Sequence, residues 1–322
     1  MNIKRIAVAT GGVFVAIKIL NEIYRKTNHF RNQWTVLEEY QRRIPKDAKL
    51  VNFGSTYSKF AFGSYQELGL CGCSMALEAQ SIEMDSLLFA EYSDYFATDC
   101  IVLFVIAPCT LLLYRDEEHI SSGQYYEVLS PKKIPNYDIR KDLKQKNPLY
   151  FNPKLIQYIF NDELPQNIYD KYPAHISEYN SKARIQSQVK GWTELFGLKD
   201  LQSIKFSTKN NQDMKQTTKI LEELLNDCIK KGFHPAIVIP PFSDRMNMHF
   251  SDEFVDEVLH KNIKIAIGNN NIPVFNYRKH EAFQQDYRSY GDGGFCLNKR
   301  GSLKFMKLLL HDLAESELKK FL

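Results

Sequence analysis

The residues best suited to covalent chemistry lie in one short stretch, "VNFGSTYSKFAF", at residues 51–62. An apolar run, Leu50 to Phe53, ends abruptly in Gly54-Ser55-Thr56. A small hydroxyl residue that follows a glycine at the end of a buried strand can be a nucleophile. It can equally cap the helix after a strand-to-helix turn. Either alternative places Ser55 at the end of a strand.

A serine hydroxyl is a weak nucleophile at neutral pH, so it needs a general base within hydrogen-bond reach and a group that orients the base. His249 is the best candidate base, because it lies in the loop after the apolar run 236–239 with Asp244 nearby. Asp292 is the candidate orienting acid. The histidine can also be a solvated bystander, and the Asp-Gly-Gly sequence that begins at Asp292 can be a plain turn.

The elements that must position these residues alternate along the chain from residue 48 onward. Continuous apolar runs predict buried strands at 49–55, 100–108, 235–241 and 272–277. Amphipathic patterns predict helices at 81–96, 216–232, 251–267 and 298–318, with Ser251 and Asn298 as caps. The alternation predicts an α/β fold, a three-layer doubly wound parallel sheet with helices on both faces.

A segment between residues 110 and 200 interrupts this alternation. It is rich in Tyr, Lys, Asn and Pro and has short helical patterns at 152–160 and 181–197. We interpret it as a helical insertion over one end of the sheet, whose tyrosines either cover the insertion or stack on sugar rings. The predicted organisation is an N-terminal apolar helix at 1–27 and one α/β domain at 28–322.

In an open α/β sheet, ligands bind beyond the carboxyl ends of the strands. The loops expected there begin at Gly54, at residues 107–110, at 240–249 and at 290–301. Ser55, Asp292 and His249 all fall in these loops.

These motifs resemble the SGNH (GDSL-like) hydrolases over most of residues 48–322. Gly54-Ser55 is similar to the Gly-Asp-Ser-like turn that carries the family's nucleophilic serine, and "CLNKRGSLKF" (296–305) resembles the block before the last helix. The segment "GCSMALEAQ" (72–80) is similar to a stretch found in subgroups encoded with bacterial cell-surface polysaccharide genes, distant cousins of the D-alanine transfer protein of teichoic-acid operons. The resemblance implies that pocket or oxyanion groups are Gly54, Gly72, Ser74, Gln80 and Asn298.

The chain departs from the family pattern at the catalytic block. Cys296 stands where the family has its histidine, and no histidine occurs from residue 281 to residue 310. Asp292 lies four residues before Cys296, whereas the family spacing would put the acid at Gly293. Ser74 stands where such relatives often have asparagine.

Two functions of different classes follow from the resemblance. The first is an esterase or O-acyltransferase that modifies bacterial cell-surface polysaccharide, with Ser55 as nucleophile. The second is a catalytically inactive relative that binds a glycan or a partner enzyme in polysaccharide biosynthesis or export. An intracellular scaffold without a pocket is a third alternative.

The composition argues against two further functional classes, nucleic-acid binding and metal or cofactor binding. The 42 basic and 38 acidic side chains are interspersed, which argues against nucleic-acid binding. The six cysteines have neither zinc-finger spacing nor a histidine cluster, so we predict no metal or cofactor and expect most of them to be reduced and buried.

The N-terminus carries the one targeting-like segment, "IAVATGGVFVAIKIL", at residues 6–20. It is short for a spanning helix, which needs about 20 apolar residues. Three alternatives stay open: a marginal membrane anchor in which Lys18 reaches the interface, a helix lying on a membrane or a partner, and a soluble helix packed on the domain. Basic residues flank the segment on both sides, so the side of the membrane is not predicted, and a cytoplasmic location is the alternative.

Overall fold

The computed structural model describes residues 15–33, 44–114, 123–166, 169 and 177–322. Its strands are β1 Ala48–Gly54, β2 Gly72–Ser74, β3 Phe96–Val105, β4 His234–Ile239 and β5 Val274–Asn276. Its helices are α1 over residues 15–24, α2 Asn28–Gln33, α3 Thr56–Ala61, α4 Ile82–Tyr92, α5 Tyr125–Val128, α6 Ile139–Lys146, α7 Pro148–Phe151, α8 Gln157–Phe160, α9 Glu178–Phe196, α10 Thr208–Lys230, α11 Asp244–Asn247, α12 Asp252–Val255, α13 Lys261–Ile267, α14 Glu281–Gln284 and α15 Lys299–Glu315.

All five strands pair in parallel, in the order β2-β1-β3-β4-β5. The predicted α/β class with a parallel sheet is confirmed. The sequence predicted four of these strands and missed β2, because a strand of three residues that begins with Gly72 has no apolar run.

Both faces of the sheet are buried, which explains why its strands have continuous apolar sequences. Leu50, Leu103 and Val238 face a core cluster that includes Phe305 and Leu309 of α15. Phe53 belongs to the other face, where its ring lies 6.1 Å from that of Phe89 on α4.

The strand order makes the winding direction reverse next to β1. The chain leaves β1 for β2 on one side and then crosses to β3 on the other side. Ligands of open α/β sheets bind at such a reversal, beyond the carboxyl ends of the two strands. Gly54 and Val105, the last residues of β1 and β3, are paired with each other, so both strands end at the same level.

The predicted helix caps at Ser251 and Asn298 are confirmed. The amide of Phe254 donates to Ser251 Oγ at 3.0 Å, and that of Gly301 donates to Asn298 Oδ1 at 3.0 Å. Helix α10 begins eight residues earlier than predicted, because its polar first turns lack apolar periodicity and start at a capping box of Ser207 and Asn210. The predicted helix 251–267 contains a π-helical turn at Asp256–His260.

Internal contacts divide the chain into two compact units. One unit, called the sheet unit below, contains residues 43–116 and 168–322, with all five strands. The other, called the small unit, contains residues 1–42 and 117–167. The segment predicted as one insertion is therefore divided, since α9 belongs to the sheet unit and α5 to α8 belong to the small unit.

The predicted apolar helix at the N-terminus is not supported. Residues 6–14 lie outside the described residues, and the described part of α1 covers residues 15–24. Asn21 of α1 is fully buried within the small unit, where its side chain donates to the Lys146 carbonyl at 2.8 Å and accepts from the Leu149 amide at 3.3 Å. Across the residues that the structure describes, no helix is long and apolar enough to span a bilayer.

Two helical glycines provide a matched test of packing around the last helix. A Cβ on Gly301 would lie 2.0 Å from the Ser289 carbonyl oxygen, whereas a Cβ on Gly191 in α9 would have no neighbour within 4 Å. We expect Gly301→Ala to lower the free energy of unfolding by about 1–3 kcal/mol through overpacking. Gly191→Ala should raise it by roughly 0.5–1 kcal/mol, because alanine restricts the unfolded chain.

Urea denaturation followed by circular dichroism measures both changes. Equal unfolding midpoints for the two variants would contradict the close approach of α15 to the Ser289 backbone.

Candidate functional site

A cavity of about 360 Å³ lies within the sheet unit at the carboxyl ends of β1 and β3. Its wall comes from the turn after β1, the loop after β2, the segment after β3, one face of α9 and the loop before α15. The lining residues are Ser55, Thr56, Tyr57, Ala79, Gln80, Cys109, Thr110, Leu113, Gln188, Gly191, Trp192, Leu195, Phe196 and Phe295.

Ser55 lies in the cavity wall between β1 and α3. It has the extended backbone of an N-cap residue, φ −91° and ψ −158°, but its side chain makes no capping hydrogen bond. The side chain is 8% exposed, and among the described residues no group bonds its hydroxyl. Ser55 therefore does not cap α3 with its side chain.

The backbone just before Ser55 is fixed by a buried carboxylate that sequence reasoning missed. The Gly54 amide donates to Asp85 Oδ1 at 3.0 Å. Asp85 lies in the first turn of α4 and is 2% exposed. Desolvation by burial raises the pKa of this carboxyl to about 7, against the lowering effect of its hydrogen bonds from Gln80 and Gly54. In the sequence it looks like an ordinary acid at a helix N-terminus, so nothing distinguished it.

Gln80 connects the cavity wall to this carboxylate. Its side-chain amide donates to Asp85 Oδ1 at 2.5 Å and to the Met75 carbonyl at 3.1 Å. Its Oε1 is buried and bonds to no described group. The sequence placed Gln80 among the pocket residues, and the structure places it in the lining.

The loop after β2 is held against the turn after β1. The Ala79 amide donates to Thr56 Oγ1 at 3.2 Å. Ala79 has φ 54°, a left-handed backbone that a residue other than glycine adopts at a cost of about 1–3 kcal/mol. Such strain is often found where a ligand site requires a particular backbone path.

Gly72 and Ser74 do not line the cavity, although the sequence placed them with the pocket. Gly72 pairs with Leu50, four residues before the end of β1, and a Cβ there would lie 2.4 Å from the Leu50 carbonyl oxygen. Ser74 Oγ accepts from the side-chain amide of the fully buried Asn52 at 2.9 Å. Both residues serve the pairing and polar interior of β1 and β2.

Asp292 organises its own loop and does not line the cavity. Its Oδ1 accepts from the amides of Gly294, Phe295 and Cys296 at 2.9, 3.1 and 3.0 Å. Its Oδ2 accepts from the Cys296 amide at 3.1 Å. Burial raises the pKa of this carboxyl, and these backbone bonds act in the opposite direction. The structure assigns Asp292 a turn-forming role through which Phe295 is positioned in the cavity wall.

Asn298 is the N-cap of α15 and is 3% exposed. Its Oδ1 accepts from Gly301, and its Nδ2 donates to the Arg288 carbonyl at 2.8 Å. With both ends of its amide bound to the backbone and no position in the cavity lining, Asn298 acts as a cap.

The structure describes six of the eight histidines, and none of those six lines the cavity. His249 is half-buried in the loop after α11, and desolvation by burial lowers its pKa. His280 caps α14, where its Nδ1 accepts from the Ala282 amide at 3.2 Å. His119 and His175 lie outside the described residues. The structure therefore does not bring His249, Asp292 and Ser55 together at the cavity.

The cavity wall is aromatic on the side of α9. The ring of Trp192 lies 5.5 Å from that of Phe295 and 6.3 Å from that of Tyr57. The α9 residues in the lining, 188, 191, 192, 195 and 196, follow the i, i+3, i+4, i+7, i+8 spacing of one helical face. That spacing is visible in the sequence, but an apolar helical face more often packs on a core than borders a cavity.

No charged side chain borders this cavity among the described residues. Those residues also contain no group of three or more His, Cys, Asp or Glu placed to hold a metal ion. All six cysteines are free, and five of them are buried, as the sequence predicted.

The buried carboxyl of Asp85 should make stability depend on pH in an unusual direction. Its folded-state pKa of about 7 lies above the ordinary value of 3.8, so the folded chain binds more protons than the unfolded chain between these pH values. The free energy of unfolding should therefore fall as the pH rises from about 4 to 7. The contribution of this one group is up to roughly 4 kcal/mol.

Asp85→Asn keeps an oxygen for the Gly54 amide but removes the titrating group. The free energy of unfolding should therefore fall less over this pH range than it does in the parent chain. Urea midpoints measured at pH 4.5, 6 and 7.5 check this, with Asp94→Asn as the control, because the Asp94 side chain is 89% exposed. An identical pH profile for Asp85→Asn and the parent chain would show that Asp85 does not titrate in this range.

Compared with known proteins, the chain matches no family model and no curated protein. Its relation to the SGNH hydrolases consequently stays a prediction from the motifs.

Proposed function

We propose that this chain is an SGNH-like protein of bacterial cell-surface polysaccharide metabolism whose cavity binds an uncharged sugar without hydrolysing an ester. The observation that carries the proposal is the composition of the cavity wall, which combines aromatic rings, hydroxyls and amides with no charged side chain and no described imidazole. The strand order 2-1-3-4-5 supports the finer fold assignment, a three-layer doubly wound sheet of the SGNH kind.

The absence of charge among the described lining residues favours an uncharged ligand. A phosphate or an ammonium group that entered this cavity would lose water without gaining an opposite charge, which is costly. A sugar phosphate, a nucleotide or an aminoacyl group is therefore a poor occupant. A neutral sugar loses only hydroxyl hydration, which side-chain hydroxyls and amides can replace.

The polar groups in the wall are already oriented for such a ligand. Thr56 Oγ1 accepts from the Ala79 amide and Thr110 Oγ1 from the Ala107 amide at 2.9 Å. Each hydroxyl proton is then available to donate. Trp192, Tyr57 and Phe295 supply aromatic surface of the kind that suits the apolar face of a sugar ring.

The catalytic alternative lacks its base among the described residues. A serine without a positioned base loses the roughly 10²–10⁴-fold that general-base catalysis contributes. Cys296, in the family's histidine position, is fully buried. Binding is thus the function that this geometry supports best.

Intrinsic fluorescence tests sugar binding directly, because the chain has only two tryptophans, Trp34 and Trp192. In a Trp34→Phe background, Trp192 reports on the cavity. We expect saturable quenching or enhancement on titration with neutral mono- and oligosaccharides, and none with sugar phosphates. Gln188→Ala should weaken binding about fivefold, the equivalent of one hydrogen bond of roughly 1 kcal/mol.

Gln186→Ala is the matched control, since it lies on the same helix but does not line the cavity. A signal that does not saturate, or equal weakening by both variants, would count against a sugar site at this cavity.

An esterase or O-acyltransferase with Ser55 as nucleophile is the second candidate, and one observation favours it. Ser55 lines the cavity at the end of β1, and its hydroxyl bonds to no described residue.

Labelling with a serine-directed fluorophosphonate separates the two candidates. The binding function predicts no labelling of the parent chain and no hydrolysis of small acetyl esters. Labelling that Ser55→Ala abolishes and Ser187→Ala preserves would establish the catalytic candidate instead. Loss of that labelling in His175→Ala or His119→Ala would then identify the base.

A further inference from the structure

The small unit exposes far more apolar surface than its size predicts. Its described residues, 15–33 and 123–166, are fewer than a quarter of those the structure describes. They nevertheless contain nine of the eighteen large apolar side chains that are exposed across the described chain. These nine are Val15, Ile19, Ile23, Ile139, Leu143, Phe151, Ile156, Phe160 and Leu164. This excess of exposed apolar side chains is the reason to examine the unit for an interaction surface.

Helix α6 of the small unit exposes its apolar residues and buries its acid, whereas a helix packed on a core does the reverse. Ile139 and Leu143, one turn apart, are 61% and 48% exposed. The acid of this helix, Asp142, is buried instead, where it accepts from the Tyr137 hydroxyl and from Lys146. The helix therefore presents its apolar side chains outward and keeps its acidic group inside.

Basic side chains accompany this apolar pair. Arg140, Lys141 and Lys144 are exposed on the same two turns of α6. The described residues of the small unit carry eleven Lys and Arg against six Asp and Glu, a net charge of +5. The whole chain carries +4, so the positive charge of the protein resides in this unit.

Helix α1 has a second outward apolar stripe. Val15, Ile19 and Ile23 recur every four residues and are 60%, 56% and 43% exposed. Asn21 and Tyr24, on the other side of the helix, are 0% and 1% exposed. The side of α1 that carries Asn21 and Tyr24 is therefore buried within the small unit, whereas its apolar stripe stays exposed.

We propose that the small unit binds to the surface of an anionic lipid bilayer through α6, with Ile139 and Leu143 in the interface and Arg140, Lys141 and Lys144 near the headgroups. Outward apolar side chains flanked by lysine and arginine, with the acid turned inward, are the composition of helices that lie in a membrane interface. Negative headgroups attract each nearby basic side chain, and the attraction is screened by salt. The α1 stripe lies in the same unit and would add apolar contact.

The α6 surface is distinct from the segment 6–20 that suggested membrane association in the sequence, whereas Val15 and Ile19 of the α1 stripe belong to that segment. It is also independent of the cavity, so it goes beyond the proposed sugar-binding function.

Cosedimentation of the full chain with vesicles tests the proposal. We compare vesicles of pure phosphatidylcholine with vesicles that contain 30% phosphatidylglycerol, at about 50 and 300 mM salt. The parent chain should bind the anionic vesicles at low salt and lose most of that binding at high salt. Ile139→Ser/Leu143→Ser should weaken binding at least about tenfold, because two apolar anchors are lost. Arg140→Gln/Lys144→Gln should reduce the salt dependence.

The matched control is Ile229→Ser/Ile265→Ser, two helical isoleucines of the sheet unit that are 42% and 54% exposed. It should bind as the parent does. No binding to anionic vesicles, or equal binding by the α6 variant and the control, would overturn the proposal. A dimer in sedimentation equilibrium that the α6 variant alone disrupts, without vesicle binding, would assign the surface to a second copy of the chain.

Discussion

The approach of β1 to β3 at their last residues is the constraint on which the site depends. A Cβ at residue 54 would lie 2.7 Å from the Val105 carbonyl oxygen, and the backbone there has φ 125°. Only glycine lets the two strands stay paired to this level and then lets the chain turn into α3. Ser55 follows directly at this point, and the Asp85 carboxylate accepts a hydrogen bond from the Gly54 amide. The cavity forms where the strand order reverses, so its position follows from this contact.

The buried carboxylates of this region hold backbone amides in place. Asp85 accepts from the Gly54 amide and from Gln80, and Asp292 accepts from three successive amides of its own loop. Each charge is costly to bury, and the N–H groups offset only part of that cost, because the pKa of each carboxyl remains raised. The two carboxylates thereby fix opposite parts of the cavity wall, the turn at Ser55 and the loop of Phe295, while their own oxygens stay out of the lining.

The sequence predicted the elements that a local pattern of residues determines. It missed the features that depend on contacts between distant parts of the chain. Strands β1, β3, β4 and β5 and the caps Ser251 and Asn298 follow from apolar runs and cap residues, which short-range physics determines. Strand β2 was missed because its three residues are too few to show a pattern. The role of Asp85 was missed because its partner, Gly54, is thirty-one residues away in the sequence. The face of α9 that lines the cavity was interpreted as part of the inserted segment. Periodicity shows that a helical face is buried, but it does not show what that face borders. Ser55 and Gln80 lie in the cavity wall as predicted, whereas the other predicted site residues lie outside its lining: Gly54, Gly72, Ser74, His249, Asp292 and Asn298.

The spacing of Asp292 and Cys296 determines how the loop before α15 is held. In this chain the acid lies four residues before position 296, and that spacing closes a turn in which Asp292 Oδ1 and Oδ2 both accept from the Cys296 amide. The thiol of Cys296 hydrogen-bonds the same carboxylate. An acid that orients a catalytic imidazole needs a free oxygen directed at the ring. Here both carboxylate oxygens accept from backbone amides of their own loop. The loop that Asp292 organises sets Phe295 in a cavity wall whose described residues carry no charge.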